Sequence, residues 1–148
     1  FNVPVEEGGY LAVFPPTKTR YYEEYPAQVN VAINGFIAAL FGVFELAHWL
    51  KNDEAKYLFE DGIQSVEKML PHFTRFNWSL YDIDTNKKLL NPHSPRYHKV
   101  CTGYLEVLAA ISGSTVIDDY AKKWKANYNL LRISLAYPWK ALFKVMYR

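Results

Sequence analysis

The sequence predicts a mainly α-helical single domain over residues 1–148. It consists of antiparallel α-hairpins that resemble part of an (α/α) toroid, with a short β-hairpin near residues 78–90. Four segments carry apolar residues at intervals of three and four, as one buried helix face requires. The first two of these segments are separated by a very short turn, which favours antiparallel neighbours. Half of the 148 residues are hydrophobic, so the chain can bury a core.

The first part of the chain is predicted to be an irregular lead-in, residues 1–19, followed by a helix. Paired glycines and paired prolines interrupt the lead-in, and Leu11–Phe14 is a candidate short strand within it. The helix, over residues 28–51, is apolar enough that most of its surface should be covered. Its length would allow a membrane span, but the polar residues inside it favour a buried helix.

A second helix is predicted from about Asp53 to Leu70, where Pro71 stops it. The helical rhythm then breaks. The run Tyr81-Asp82-Ile83 has strand character, a turn signature follows it, and Lys88-Leu89-Leu90 are the expected return strand.

Two more helices and a tail complete the chain. The third helix is predicted over residues 97–112, with Gly113 as its end, and the fourth over residues 115–128. The tail, residues 130–148, places basic residues among apolar ones and contains no acid, and Pro138 is expected to kink or split it. Two interpretations are open for this tail: a helix that packs back on the domain or on a partner, which we favour, or a segment lying on a membrane surface.

Composition excludes several classes of protein. The net charge is +2, which gives no reason to expect nucleic acid as a partner. The one cysteine, Cys101, lies in an apolar run and is best interpreted as a buried thiol. No metal-ligand spacing, phosphate-binding glycine loop or nucleotide fingerprint is present in the sequence, so we expect neither a metal nor another cofactor.

The most informative feature is a set of three tyrosines, each in a distinctive local phrase. Tyr25 lies in Tyr22-Glu23-Glu24-Tyr25-Pro26, Tyr81 in Ser79-Leu80-Tyr81-Asp82 and Tyr97 in Arg96-Tyr97-His98. Further phrases between and after them are Ile33-Asn34-Gly35-Phe36-Ile37, Lys68-Met69-Leu70-Pro71 and Lys123-Trp124-Lys125. In this order and at this spacing, the phrases from Arg20 to Tyr128 resemble the C-terminal region of the D-glucuronyl C5-epimerases.

That resemblance implies an enzyme that inverts C5 of D-glucuronic acid residues in a polymer, giving L-iduronic acid. In animals the polymer is a heparan-type precursor. The resemblance implies that Tyr25, Tyr81 and Tyr97 are catalytic, with Glu24 beside the first. The expected partners are a uronate-containing polysaccharide, a β-rich upstream region of the parent chain and a second copy in a homodimer. The implied location is the Golgi lumen for an animal protein, and the cytoplasm or a membrane for a microbial one.

This sequence departs from the family pattern near two of the tyrosines. The family has an arginine two positions after the Tyr-Asp of the middle phrase, where this chain has Asp84. Arg96 stands before the third tyrosine in place of an acid, and the loop between these two phrases is slightly shorter. These departures bear on the substrate more than on the proton chemistry, and they leave open whether the polymer is the animal one or another uronate-bearing polymer.

The chemistry of inversion explains why such groups are needed. The C5 proton of a uronate is weakly acidic, so a cation or strong donors must first neutralise the adjacent carboxylate. The nearby candidates are Arg96, His98, Lys99 and Arg20, and Asn34 completes the predicted substrate-binding set. A base must then remove the proton from one face and an acid must return one to the other. A tyrosine can act as the base only where charge or hydrogen bonds stabilise its phenolate.

Two other interpretations remain open at this stage. A uronate polysaccharide lyase would share the proton removal but would then expel the substituent at C4, which leaves an unsaturated, ultraviolet-absorbing sugar. Alternatively, the chain is a non-catalytic carbohydrate-binding or structural fragment of a larger enzyme. The identity of the polymer and the assignment of acid and base among the tyrosines are not fixed by the sequence.

Overall fold

Five α-helices dominate the described part of the chain, which in this computed structural model comprises residues 2–24, 31–84 and 86–147. The helices are α1 (Ile33–Trp49), α2 (Asp53–Met69), α3 (Pro95–Ser112), α4 (Thr115–Ala126) and α5 (Leu130–Met146). The strands are β1 (Leu11–Phe14), β2 (Thr19–Tyr22), β3 (Val31–Ala32), β4 (Thr74–Arg75), β5 (Trp78–Ile83) and β6 (Asn91–Pro92). The predicted mainly α fold with a short β-hairpin is confirmed.

The first four helices pack as two hairpins, α1 with α2 and α3 with α4. Side-chain oxygens of Asn52, Ser94 and Ser114 accept hydrogen bonds from backbone N–H groups in the first turns of α2, α3 and α4. Gly113 follows α3 with a φ of 71°, a left-handed conformation that glycine adopts without strain. These local signals explain why the ends of these helices lie close to the predicted positions.

The start of α1 differs from the prediction, which placed it at residue 28. The helix begins at Ile33, because Val31 and Ala32 pair with β5 and commit their backbone groups to a sheet. Residues 25–30 lie outside the described part of the chain. The pairing sets the first turn of α1 beside the end of β5, next to Tyr81.

The hydrophobic core fills the space between the helical hairpins and the hairpin of β1 and β2. Its fully buried members include Phe14, Phe36, Leu105 and Trp124. A Cβ added to Gly62 of α2 would come within 2.3 Å of a methyl of Leu40, so the missing side chain lets α1 approach α2 closely. The core therefore fixes the positions of the helices on which the second sheet packs.

β5 is the central strand of the second sheet and pairs with β3, β4 and β6. A two-residue turn joins β4 to β5, and its residues Phe76 and Asn77 both have positive φ, 53° and 58°. This is the backbone geometry that lets a tight hairpin follow the natural twist of its strands.

The pairing of β5 with β6 contains a β-bulge. Leu80 pairs with Pro92 and Asp82 with Asn91, so Tyr81 is the extra residue on β5. An extra residue bends the strand and re-aims its side chain. The bulge therefore sets the direction of the Tyr81 ring.

The predicted return strand at Lys88–Leu90 is wrong in position, since β6 lies just after it. The backbone N–H groups of Lys88 and Leu89 instead donate to the hydroxyl oxygen of Tyr147, at 2.8 and 3.0 Å. These N–H groups therefore bind a side chain from the far end of the chain and not the backbone of β5.

The tail forms α5, which packs back on the domain. Its inner side includes Ala136 and Phe143, and Trp139 donates from Nε1 to the carbonyl oxygen of Leu90 at 3.1 Å. The helix continues through Pro138, so the expected split of the tail does not occur there. No helix within the described ranges combines the length and apolar character needed to cross a membrane.

Candidate functional site

Tyr81 and Tyr97 meet at the junction of β5 and α3. Their ring centroids lie 6.1 Å apart with the planes at 80°. The bulge orients Tyr81, and the Ser94 cap, which accepts from the backbone N–H of Tyr97, fixes the first turn of α3. Tyr97 is 48% exposed and Tyr81 is half-buried, so the pair borders solvent.

His93 supports both tyrosine rings from the inside. Its ring lies parallel to that of Tyr97, with centroids 5.9 Å apart, and perpendicular to that of Tyr81 at 5.5 Å. His93 itself has no exposed surface. The backbone carbonyl of His93 accepts a hydrogen bond from Nε1 of Trp78 at 3.0 Å.

A buried chain of hydrogen bonds holds His93 in place, and its direction follows from one carbonyl group. His98 Nε2 lies 3.1 Å from the carbonyl oxygen of Trp124, which can only accept, so Nε2 carries a hydrogen. In the neutral ring Nδ1 of His98 then accepts from the Ser79 hydroxyl at 2.7 Å. The Ser79 oxygen accepts from His93 Nδ1 at 2.9 Å, and His93 Nε2 faces Cys101 Sγ at 3.6 Å.

Burial keeps the two histidines of this hydrogen-bond network, His93 and His98, neutral. Burial lowers the pKa of His93 to about 3, and the neighbouring His98 and Lys140 add to the shift. Burial lowers the pKa of His98 to about 4, against the opposite effect of the hydrogen bond to Trp124. Burial also raises the pKa of the Cys101 thiol to about 12. At neutral pH these hydrogen-bonded groups are therefore uncharged and support the tyrosine rings from below. The buried thiol of Cys101, as predicted, is one of them.

The structure does not place His98 where a substrate could touch it. The ring is fully buried and stacks on Trp78, with centroids 3.9 Å apart and planes at 10°. The sequence prediction of direct substrate contact by His98 does not fit this position. The α3 face that carries His98 points into the domain, because His98, Cys101 and Leu105 share it at helical spacing.

A cation reaches the site from α5. Lys140 Nζ lies 5.2 Å from the centroid of the Tyr81 ring and 5.7 Å from that of Phe143. The ammonium donates a hydrogen bond to Asn91 Oδ1, and Asn91 Nδ2 in turn donates to Asp82 Oδ1 at 2.8 Å. Burial lowers the pKa of Lys140, while Asp82 acts in the opposite direction and Lys144 adds to the lowering.

Two further residues of the predicted site are Glu24 and Asn34. The Glu24 carboxylate is exposed and lies over Gly35, where an added Cβ would be 2.5 Å from Glu24 Oε2. Asn34 Oδ1 is buried and has no hydrogen-bond partner in the described part of the chain. Both lie at the first turn of α1, which follows the pairing of Ala32 with Asp82. Tyr25, the remaining predicted catalytic residue, lies outside the described residues.

Arg96 and Lys99, predicted to bind substrate, are exposed near the start of α3. They flank Tyr97 and His98 in sequence, but the helix turns their side chains away from the buried histidines. Their predicted substrate contact stays a prediction. Asp84, which replaces the expected arginine, forms an ion pair with Lys87 at 3.0 Å, so its charge is partly balanced.

Sequence reasoning missed His93, Ser79, Asn91 and Lys140. A histidine between two prolines, in Pro92-His93-Ser94-Pro95, is a signal that this loop is structured, but it names no partner. Lys140 is one of several basic residues in an apolar tail, and only the packing of α5 separates it from the others. These residues become visible as site residues through contacts between distant segments.

Comparisons with known proteins identify the family to which most of the chain is similar. The family model of the D-glucuronyl C5-epimerase C-terminus matches residues 1–126. An uncharacterised protein of Methanocaldococcus jannaschii is 30% identical over 128 residues, which cover 84% of this chain and 40% of that protein. A D-glucuronyl C5-epimerase of Caenorhabditis elegans is 27% identical over 139 residues, covering 84% of this chain and 22% of that protein. The chain thus spans less than half the length of these relatives.

Proposed function

The chain belongs to the family of the D-glucuronyl C5-epimerase C-terminus, and we propose that it supplies the proton-transfer tyrosines of an isomerase acting on a uronate-containing polysaccharide. The reaction is inversion of C5 of D-glucuronic acid residues to give L-iduronic acid. One observation supports the proposal above all others. Two of the three tyrosines implied by the resemblance, which are distant in sequence, meet at a solvent-bordering junction with their rings 6.1 Å apart.

The proposed step is a proton exchange at one carbon. A basic group takes the C5 proton, and the electron pair of the broken C–H bond moves towards the sugar carboxylate. An acidic group on the other face then donates a proton to C5, so the product has the same atoms and the opposite configuration. Tyr81 and Tyr97 are the described candidates for these roles, and Tyr25 and Glu24 complete the set. The uncharged scaffold of His93 beneath both rings fixes their orientation.

Two further groups suit a sugar polymer. Asn34 Oδ1 is an unpaired acceptor, within the described ranges, that a sugar hydroxyl can satisfy. The exposed part of the Tyr97 ring offers aromatic surface to the C–H face of a sugar ring. The exposed cations Arg96 and Lys99 provide attraction for a polyanionic chain passing the site.

The test is incubation of the protein with candidate uronate polymers in deuterated water, followed by NMR of C5. We expect deuterium to enter C5 with the native protein. Tyr97→Phe removes one hydroxyl from a half-exposed ring and should abolish that exchange while circular dichroism stays unchanged. Tyr10→Phe is the matched control, since Tyr10 is similarly exposed at 57% and lies outside the matched phrases.

The outcomes separate the alternatives. Full exchange with Tyr97→Phe would remove Tyr97 from the mechanism. A product that absorbs in the ultraviolet would show a lyase. Absence of exchange with every uronate polymer, while the native protein still binds one of them, would favour the non-catalytic carbohydrate-binding fragment.

A further inference from the structure

The last helix lies outside the family match yet reaches the tyrosines. The match to the family model ends at residue 126 of this chain, and α5 begins at Leu130. Nevertheless α5 contributes Lys140, whose ammonium lies over the ring of Tyr81. α5 therefore brings a charged group to Tyr81 from outside the residues that match the family model.

We propose that Lys140 binds the carboxylate of the uronate whose C5 is inverted, so that α5 is part of the substrate site. The inference rests on the proposed function and names the group that would neutralise the carboxylate. A cation at this place favours proton removal from C5, because the electron pair of the broken bond moves towards that carboxylate.

The position of Lys140 suits this task better than the cations predicted from sequence. Arg96 and Lys99 are exposed on α3, where bulk water weakens their attraction for an anion. Lys140 is half-buried between β6 and Phe143, where the same charge acts more strongly. It also lies on the ring of a tyrosine proposed to act on the same sugar.

The hydrogen bonds of Lys140 leave it able to bind an anion. An ammonium has three N–H donors, and Asn91 Oδ1 is the one acceptor for them within the described ranges. Asp82 holds Asn91 through its amide nitrogen, so a neutral amide stands between the lysine and that carboxylate. Among the ion pairs formed by described residues, none includes Lys140. Asn91 thus orients the ammonium, and Asp82 attracts it from beyond the amide without forming an ion pair with it.

The test compares two polymers that differ only at the carboxylate. Isothermal titration calorimetry measures binding of a D-glucuronate-containing oligosaccharide and of its carboxyl-reduced counterpart. Lys140→Gln keeps a polar side chain but removes the charge, and it should weaken binding of the carboxylate form by about tenfold to a hundredfold. Binding of the reduced form should stay as in the native protein. Lys140→Arg keeps the charge and should retain most of the affinity.

Lys144→Gln is the matched control, because Lys144 lies one turn further along α5 and is exposed. Its affinity should stay within about twofold of native, as expected for an exposed charge. Equal loss in both variants would show general attraction of a polyanion and would overturn the assignment. Native affinity in Lys140→Gln would also overturn the assignment, as would loss of affinity in Lys140→Arg with the fold intact. Deuterium exchange that persists in the native protein would leave the proposed function standing in those cases, whereas a native protein that neither binds nor exchanges would overturn both.

Discussion

Replacing Ser79 with alanine tests the buried hydrogen-bond chain beneath the tyrosines. The Ser79 hydroxyl is fully buried and joins His93 Nδ1 at 2.9 Å to His98 Nδ1 at 2.7 Å. His98 Nδ1 keeps the backbone N–H of Ser79 as a donor at 3.2 Å, so the variant leaves one group unpaired instead of two. That group is the N–H of His93, and an unpaired buried donor costs about 1–3 kcal/mol. We expect the free energy of unfolding to fall by about 2 kcal/mol.

Urea titration followed by circular dichroism measures this change, and thermal unfolding should show a midpoint about 4–8 °C lower. Ser134→Ala is the matched control, because Ser134 is exposed on α5 and its hydroxyl donates only to the carbonyl of Leu131 within the helix. The control should lie within about 0.5 kcal/mol of native. If Ser79→Ala unfolds at the native urea midpoint, the hydroxyl does not link the two rings and the proposed scaffold is wrong.

Two further predictions concern acid stability and the glycines of α1. The pKa values of His93 and His98 lie near 3 and 4 in the folded protein, below the unfolded value of about 6.5. The unfolded chain therefore takes up more protons as pH falls from about 6.5 towards 4. The free energy of unfolding, measured by urea titration, should then drop by up to about 1.4 kcal/mol per pH unit for each histidine. The control variant His72→Gln, which changes an exposed histidine, should show the same pH dependence as the native protein. A free energy of unfolding that does not change over this pH range would contradict the prediction. Gly35→Ala should displace the Glu24 side chain and lower the melting temperature. Gly42→Ala places its new Cβ with nothing within 4 Å, so it should raise the free energy of unfolding by up to about 1 kcal/mol. Equal effects of the two variants would contradict the contact over Gly35.

The helices could be predicted from the sequence because their signals are local. Apolar spacing identifies α1 to α4, and caps and stops such as Asn52 and Gly113 set several of their ends. The exceptions arise where a distant segment competes for backbone groups. Val31 and Ala32 pair with β5 in place of joining α1, and Tyr147 takes the N–H groups of the expected return strand.

The candidate site was predictable in part, through the family resemblance rather than through local signals. The phrases around Tyr81 and Tyr97 named two residues that the fold brings together. The sequence could not show that His98 faces inward, since that depends on how α3 packs against β5. Nor could it separate Lys140 from the other basic residues of the tail, because Lys140 is far from Tyr81 along the chain and meets it only through the packing of α5.

The pairing of β6 with β5 separates the position of the tyrosines from the length of the loop between these strands. Asn91–Pro92 are anchored on β5 beside Tyr81, and Ser94 caps the helix that carries Tyr97. The segment between the two strands is thereby fastened at both ends, independently of its length. A change in its number of residues would therefore leave the separation of the two phenols as it is, because the bulge of β5 and the cap of α3 hold the two rings.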